Sequence, residues 1–160
     1  MNIRRLTKLS IVTTIYVLLT IVLNPISYGG VQFRVAEALM LLCLYRKDYA
    51  ISLVMGCLIS NVFSPYGIID MIFGTLATLI SCLLMILVKR IYVAWIFPVF
   101  VNGIIIGLEI VILDKMIPFW NSFLMMFGFI ALGEAVVLII GVVIFKIMER
   151  NETFMDLIKE

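Results

Sequence analysis

The stretch GIIDMIFGTLATLISCLLMILV, residues 67–88, decides the fold class. It is long enough to cross a bilayer, which takes about 20 mostly apolar residues, and Asp70 is its only charged residue. Apolar runs recur along the whole chain of 160 residues, of which 64% are apolar and 14% charged. Soluble domains contain only about 45–50% apolar residues. The sequence therefore predicts an all-α integral membrane protein.

Interruptions in the apolar runs divide the chain into six predicted helices. Asparagine, proline, glycine and charged residues mark breaks near Asn24-Pro25 with Gly29-Gly30, at 46–48, at 64–67, at 89–90 and at 114–118. The predicted segments run approximately over 6–24, 34–46, 49–62, 67–88, 92–113 and 120–147. The second and third extend only about 20 Å as α-helices, too short for a hydrocarbon core of about 30 Å. We therefore expect one membrane domain, 1–160, folded as a compact six-helix bundle with short second and third helices packed inside.

The distribution of basic residues predicts the orientation. If the chain crosses an even number of times, ten of its 12 Lys and Arg residues fall on the side of the N-terminus, and only Arg34 and Lys115 on the other. Basic residues are retained in the cytoplasm. The first apolar run, 6–23, exceeds the 7–15 residues of a typical signal-peptide core, so we expect it to be the first spanning helix. These features predict a multi-pass protein of the bacterial plasma membrane with both termini in the cytoplasm.

Seven polar residues within the apolar segments mark a candidate substrate-binding site. An ionisable group at bilayer depth costs roughly 2.5–3.5 kcal/mol, so such groups usually face a cavity, a partner or a pathway. In the predicted topology they lie in the outer half, with no polar track to the cytoplasm. This distribution favours capture of a solute from outside over a channel or a proton relay. The candidates are Arg34, Glu37, Asn61, Asp70, Asn102, Glu109 and Glu134.

These candidates carry more negative than positive charge, because four carboxylates accompany one arginine. In a dry pocket, either some carboxylates are protonated or the ligand is a cation. A ligand with an amine and an amidine-like N–H edge fits, since one carboxylate accepts two parallel N–H donors. Two structural alternatives stay open: Arg34 and Glu37 form a local ion pair, and Asp70 stabilises the start of its own helix.

Familiar catalytic and energising motifs are absent from the sequence. It has no G-x-x-x-x-G-K-[ST] phosphate loop, no zinc motif and no G-x-S-x-G elbow. We therefore expect no catalytic residues, no metal ligands and no cofactor in this chain. Any energy for its function must then come from outside the chain. A net charge of +2 with dispersed basic residues gives no indication of a nucleic-acid partner, and we expect none.

Ser10 and Thr14 form a candidate partner-docking face near the cytoplasmic end of the first helix. Small residues four positions apart allow close approach of helix backbones in lipid. We therefore expect a partner protein to dock there.

Several motifs, in order along nearly the whole chain, resemble the QueT family of queuosine precursor transporters. They are Pro25, Q-F-R-V-A-E-A-L at 32–39, Asn61, D-M-I-F-G-T-L-A-T-L at 70–79, Pro98, Asn102-Gly103 and Gly133-Glu134. The resemblance implies a substrate-binding S component of an energy-coupling factor (ECF) transporter, with six helices. It implies three partners, a transmembrane T component and two cytosolic ATPases. It also implies a mechanism in which the S component itself binds solute from outside and then topples within the membrane to release it inside.

The resemblance also implies the substrate, a 7-deazaguanine base that is a queuosine precursor or queuine. Its guanine-like edge offers N–H donors to a carboxylate, and an aminomethyl form adds the cation that the pocket charge favours. In that family small residues on the first helix contact the T component, often as alanines, whereas here Ser10 and Thr14 stand at that spacing.

Two other functions remain open at this point. A self-contained ion- or proton-coupled carrier would transport its solute without an ATPase. It needs a transport pathway that continues through the cytoplasmic half of the membrane, and we find none in the sequence. A non-transporting assembly subunit would bind no small molecule and would tolerate Glu109→Gln or Glu134→Gln.

Overall fold

This computed structural model describes residues 3–27 and 31–159, and its fold is built from helices. That part of the chain contains eight α-helices, two 3₁₀-helices and no strand. The α-helices are α1 (Ile3–Val22), α2 (Asn24–Ser27), α3 (Tyr49–Ser60), α4 (Ile68–Val88), α5 (Ile91–Ala94), α6 (Ile96–Leu113), α7 (Phe119–Met148) and α8 (Glu152–Lys159). The 3₁₀-helices are Val35–Leu44, here called the central 3₁₀-helix, and Asn61–Phe63. The predicted Gly29-Gly30 turn lies outside the described residues.

The prediction of six helices is wrong in number, although each predicted segment overlaps one of the longer helices. Two of the additional breaks lie next to prolines. Pro98 has no backbone N–H and its ring clashes with the carbonyl four residues earlier, so the helix is interrupted at Trp95, between α5 and α6. Pro25 separates α1 from the short α2 in the same way. The residues after the sixth predicted segment form the additional helix α8.

Four helical stretches are long and apolar enough to cross a membrane. They are Ile3–Val22, Ile68–Val88, Ile91–Leu113 and Phe119–Met148, whereas Val35–Leu44 and Tyr49–Phe63 are apolar but shorter. Large apolar side chains such as Ile68, Leu87 and Ile112 remain more than half exposed, as expected for a surface covered by lipid. The protein is therefore a multi-pass membrane protein, with short second and third segments as predicted.

The central 3₁₀-helix lies in the interior of the bundle, where it packs against α1, α3, α4, α5 and α7. The prediction of an α-helix over 34–46 is wrong, because residues 35–44 wind more tightly. A 3₁₀-helix rises about 2.0 Å per residue and an α-helix about 1.5 Å. The ten residues of this helix therefore cover about the 20 Å expected of the longer predicted segment. Its buried side chains include Glu37.

A network of charged residues around Asp48 holds one end of the bundle, here called the Asp48 end. Arg5 Nε on α1 lies 2.5 Å from Asp48 Oδ2, and Arg46 Nη2 lies 3.2 Å from the same oxygen. The guanidinium of Arg5 also stacks over the ring of Tyr49, 4.4 Å from its centroid. Asp48 thus joins α1 to the turn between the central 3₁₀-helix and α3.

Helix α8 packs across the Asp48 end through the carbonyl groups of its last residues. Lys8 Nζ donates to the Leu157 carbonyl at 2.9 Å, and Arg46 Nη1 donates to the Lys159 carbonyl at 2.8 Å. The last carbonyls of a helix have no partner within the helix, and cations are favourable at this end of the helix dipole. The docking of α8 therefore provides hydrogen-bond donors for the carbonyl groups at the C-terminus of this helix.

We predict that Asp48→Asn destabilises the protein and reduces its sensitivity to acid. Partial burial alone raises the pKa of Asp48, but hydrogen bonds from Arg5 and Arg46 outweigh it and lower the pKa from 3.8 to about 2. Because the folded-state pKa is lowered, the stabilisation is present above about pH 4 and is lost as the pH falls towards 2. The substitution should cost about 1–2 kcal/mol at neutral pH, or about 2–8 °C in melting temperature.

Thermal unfolding in detergent at pH 7 and pH 3 measures both effects. Asp156→Asn, which removes an exposed carboxylate from α8, is the matched control. Equal melting temperatures for the two variants at pH 7 would contradict the prediction.

Candidate functional site

The structure brings together all seven candidate substrate-binding residues inside the bundle. Arg34 directly precedes the central 3₁₀-helix, which carries Glu37. Asn61 follows α3 and Asp70 lies in the first turn of α4. Asn102 and Glu109 are on α6 and Glu134 is on α7. None of the seven is more than 4% exposed, and together they are called the polar cluster below.

Arg34 is the cation around which the carboxylates of the polar cluster are arranged. Its Nη2 lies 3.8 Å from Asp70 Oδ1, an ion pair rather than a close hydrogen bond. The guanidinium also interacts electrostatically with Glu37, Glu109 and Glu134. One positive charge therefore lies within electrostatic range of carboxyl groups from four different helices.

The Asp70 carboxylate is fixed by the turn before α4. Ser64 Oγ donates a hydrogen bond to Asp70 Oδ2, and Asn61 Nδ2 donates to the backbone carbonyl of Asp70 at 2.9 Å. The other carboxylate oxygen, Oδ1, has no hydrogen-bond partner among the described residues. Asp70 therefore faces Arg34 from the first turn of α4.

Tyr16 contacts the polar cluster through Glu37 and was missed by the sequence analysis. Its hydroxyl donates a 2.7 Å hydrogen bond to Glu37 Oε1, and the side chain is 1% exposed. Space for the ring comes from Gly56, because a Cβ there would lie 2.9 Å from Tyr16. A tyrosine in the middle of a spanning helix, away from the membrane interfaces where tyrosines concentrate, is the signal that could have identified it.

Asn102 and Glu134 form a hydrogen-bonded pair between α6 and α7. Asn102 Nδ2 donates to Glu134 Oε1 at 2.8 Å. This leaves Asn102 Oδ1 and Glu134 Oε2 without hydrogen-bond partners in the part of the chain that the structure describes. Leaving a buried acceptor unpaired costs about 1–3 kcal/mol. The pair therefore carries two unused acceptors, one on each side chain.

Glu109 lies at a crevice between α4 and α6. The crevice has a volume of about 280 Å³ and its other lining residues are apolar: Ile69, Phe73, Leu76, Ile105, Leu108, Ile112 and Leu113. Neither carboxylate oxygen of Glu109 has a hydrogen-bond partner among residues 3–27 and 31–159. The carboxyl group interacts with Asp70 and Arg34, so it connects the crevice to the rest of the polar cluster.

The segment before the central 3₁₀-helix packs directly on α7 beside Glu134. A Cβ on Gly133 would lie 2.6 Å from the carbonyl oxygen of Gln32 and 2.9 Å from its carbonyl carbon. Phe33 also donates its backbone N–H to the Ile26 carbonyl at 3.1 Å. Glycine at position 133 thus allows residues 31–34 to approach α7 and Arg34 to enter the polar cluster.

The predicted docking residues Ser10 and Thr14 lie apart from the polar cluster, on the exposed surface of α1. They line a groove of about 330 Å³ between α1 and α3, together with Leu6, Leu9, Thr13, Ile51, Ser52, Met55 and Ile59. Thr14 Oγ1 donates to the Ser10 carbonyl at 2.9 Å. This hydroxyl is therefore satisfied within its own helix.

Comparison with known proteins identifies similar sequences over most of the chain. Residues 6–150 match the protein family described as QueT transporter. A curated relative, the queuosine precursor transporter QueT of Lactococcus lactis subsp. cremoris (strain MG1363), is 34% identical over 147 residues, covering 83% of this chain and 85% of the relative. No solved structure matches the chain significantly. The family match includes every residue of the polar cluster.

We predict that Gly133→Ala displaces residues 31–34 from α7. The added Cβ meets backbone atoms of Gln32, which cannot rotate away as a side chain can, and such overpacking costs about 1–3 kcal/mol. Faster amide hydrogen exchange in residues 31–37 would report the displacement. Gly128→Ala is the matched control on α7, because a Cβ there has no neighbour within 4 Å. Identical exchange in the two variants would contradict the prediction.

Proposed function

Because the chain belongs to the QueT transporter family, we propose that its polar cluster captures a queuosine precursor or queuine, a 7-deazaguanine base. The observation that carries the proposal is the set of buried acceptors without hydrogen-bond partners among the described residues, contributed by Asn102, Glu109 and Glu134. A guanine-like base brings several N–H donors on a flat ring. Such donors would satisfy these acceptors, and a cationic substituent would offset the excess of carboxylates.

We further propose that the chain is the substrate-binding S component of an ECF importer, in which the base is bound from outside. A T component would dock on the groove that contains Ser10 and Thr14, and two cytosolic ATPases would supply the energy. The sequence has no phosphate-loop motif, so in this proposal the partners hydrolyse the ATP. The seven residues of the polar cluster, at most 4% exposed, would have to become accessible for the ligand to enter, and we assign this opening to the outside.

The Asp48 end supports the proposed orientation. Arg5, Lys8 and Arg46 meet there, and Lys47 and Lys89 line a common pocket. Positively charged residues are retained on the cytoplasmic side. We therefore place the Asp48 end and both termini in the cytoplasm, the polar cluster towards the outside, and the whole chain in one membrane domain.

A second candidate is a self-contained ion- or proton-coupled carrier. The buried carboxylates of Glu37, Glu109 and Glu134 favour it, because intramembrane acidic residues often relay protons. It would accumulate the base in vesicles without any ATPase.

We predict that the purified chain alone, in detergent, binds a 7-deazaguanine base at equilibrium. Glu134→Gln should weaken binding about tenfold or more, because an amide N–H donor takes the place of an acceptor for the ligand's N–H donors. Isothermal titration calorimetry on samples that remain monodisperse measures both affinities. Glu152→Gln, an exposed carboxylate on α8, is the control. No binding by folded wild-type protein, or equal loss in the two variants, would contradict the proposal.

We predict that Ser10→Trp and Thr14→Trp abolish ATP-driven uptake while leaving binding intact. A bulky ring prevents close approach of a partner helix to α1, but neither residue belongs to the polar cluster. Uptake is measured in proteoliposomes containing the chain with and without the T component and ATPases. Leu18→Trp, on the same helix at a 55% exposed position, should retain uptake. Accumulation without the ATPases would instead support the ion-coupled carrier.

A further inference from the structure

We propose that the polar cluster has two chemically different ends and therefore fixes the direction in which its ligand binds. The Asn102–Glu134 pair takes a two-donor N–H edge, and Glu109 takes an ammonium group. This inference rests on the proposed function and adds to it the orientation of the base and a preference for a cationic arm.

The Asn102–Glu134 end is suited to the edge of a ring. Asn102 Nδ2 already donates to Glu134 Oε1, which fixes the two side chains relative to each other. The remaining oxygens, Asn102 Oδ1 and Glu134 Oε2, lack hydrogen-bond partners among the described residues. Two acceptors carried by one hydrogen-bonded pair can each take one N–H donor of the N1–H and 2-amino edge of a guanine-like base. An ammonium group has no such flat pair of donors.

The Glu109 end is suited to a compact positive charge. Both of its carboxylate oxygens are without partners in the described part of the chain, and its carboxyl group interacts with Asp70. Glu109 is 4% exposed, and the adjoining crevice is otherwise lined by apolar side chains. Exclusion of water from such a site strengthens the attraction between a carboxylate and an ammonium group.

The spacing along α6 allows one ligand to reach both ends. Asn102 and Glu109 lie on the same helix, about two turns apart and on nearly the same face, since a straight helix drifts by only about 20° over this interval. Two turns correspond to about 10 Å along the axis. A two-ring base with an amine on a one-carbon arm carries its donor edge and its ammonium at opposite ends. With a hydrogen bond at each end, it can bridge this distance.

Three related bases test the arrangement on the wild-type chain. The first is 7-aminomethyl-7-deazaguanine, the second is the 7-cyano analogue with a neutral arm, and the third is 7-aminomethyl-7-deazahypoxanthine, which lacks the 2-amino group. The aminomethyl guanine should bind about tenfold or more tightly than either of the others, the expected size of one charge-assisted hydrogen bond. Because these ratios need no variant, the test does not depend on a substituted protein folding.

Two isosteric variants then assign the ends. Glu109→Gln should remove the preference for the aminomethyl over the cyano base and leave the preference for the 2-amino group unchanged. Glu134→Gln should remove the preference for the 2-amino group and leave the preference for the aminomethyl over the cyano base unchanged. Glu109→Asp, which retains the charge, should restore most of the first preference, and Glu152→Gln should change neither.

The outcomes separate this inference from the function on which it rests. Failure of all three bases to bind the folded chain would overturn the proposed function, and the inference with it. Binding in which each variant weakens all three bases by the same factor would leave the proposed function standing and overturn the two-ended arrangement. A reversed pattern, with Glu134 controlling the response to the arm, would overturn the assigned direction.

Discussion

The burial of Arg34 among four carboxylates is the constraint on which the rest of the structure depends. A charge inside a membrane protein must be paired or hydrated, and here the partners come from α4, α6, α7 and the central 3₁₀-helix. Gly133 allows residues 31–34 to lie against α7, so that Arg34 enters the bundle. The apolar helices surround these polar groups, and the guanidinium of Arg34 lies among carboxyl groups that come from separate helices.

Some polar groups near Arg34 have hydrogen-bond partners for all their oxygens but one, and others have oxygens left without any partner among the described residues. Asp70 is held by Ser64, and Glu37 by Tyr16. In contrast, Glu109 has two carboxylate oxygens without partners in the described part of the chain, and the Asn102–Glu134 pair has two further acceptors. Unpaired buried acceptors are costly, and a protein that only needed a stable interior would gain from replacing them with apolar groups. A ligand rich in N–H donors supplies what the chain leaves unsatisfied.

The long spans could be predicted from the sequence, because hydropathy over about 20 residues is a strong signal: segment 67–88 became α4, Ile68–Val88. The polar cluster could also be predicted in outline, since each charged residue in an apolar run is conspicuous. The tighter winding of residues 35–44 could not be predicted from the sequence, because this segment packs against five neighbouring helices and hydropathy does not report such contacts. The break at Trp95 was available in the sequence through Pro98, and the 120–147 prediction nearly reproduced α7. Tyr16 and the Asn102–Glu134 pair involve partners distant in sequence, which periodicity does not connect.

The structure of the full chain with bound 7-aminomethyl-7-deazaguanine tests the central claim most directly. We predict that the base lies within the polar cluster, with its 2-amino edge within hydrogen-bond distance of Glu134 and its ammonium near Glu109. A base bound instead in the groove beside Ser10 and Thr14, or a polar cluster that stays closed and empty at saturating ligand, would contradict it.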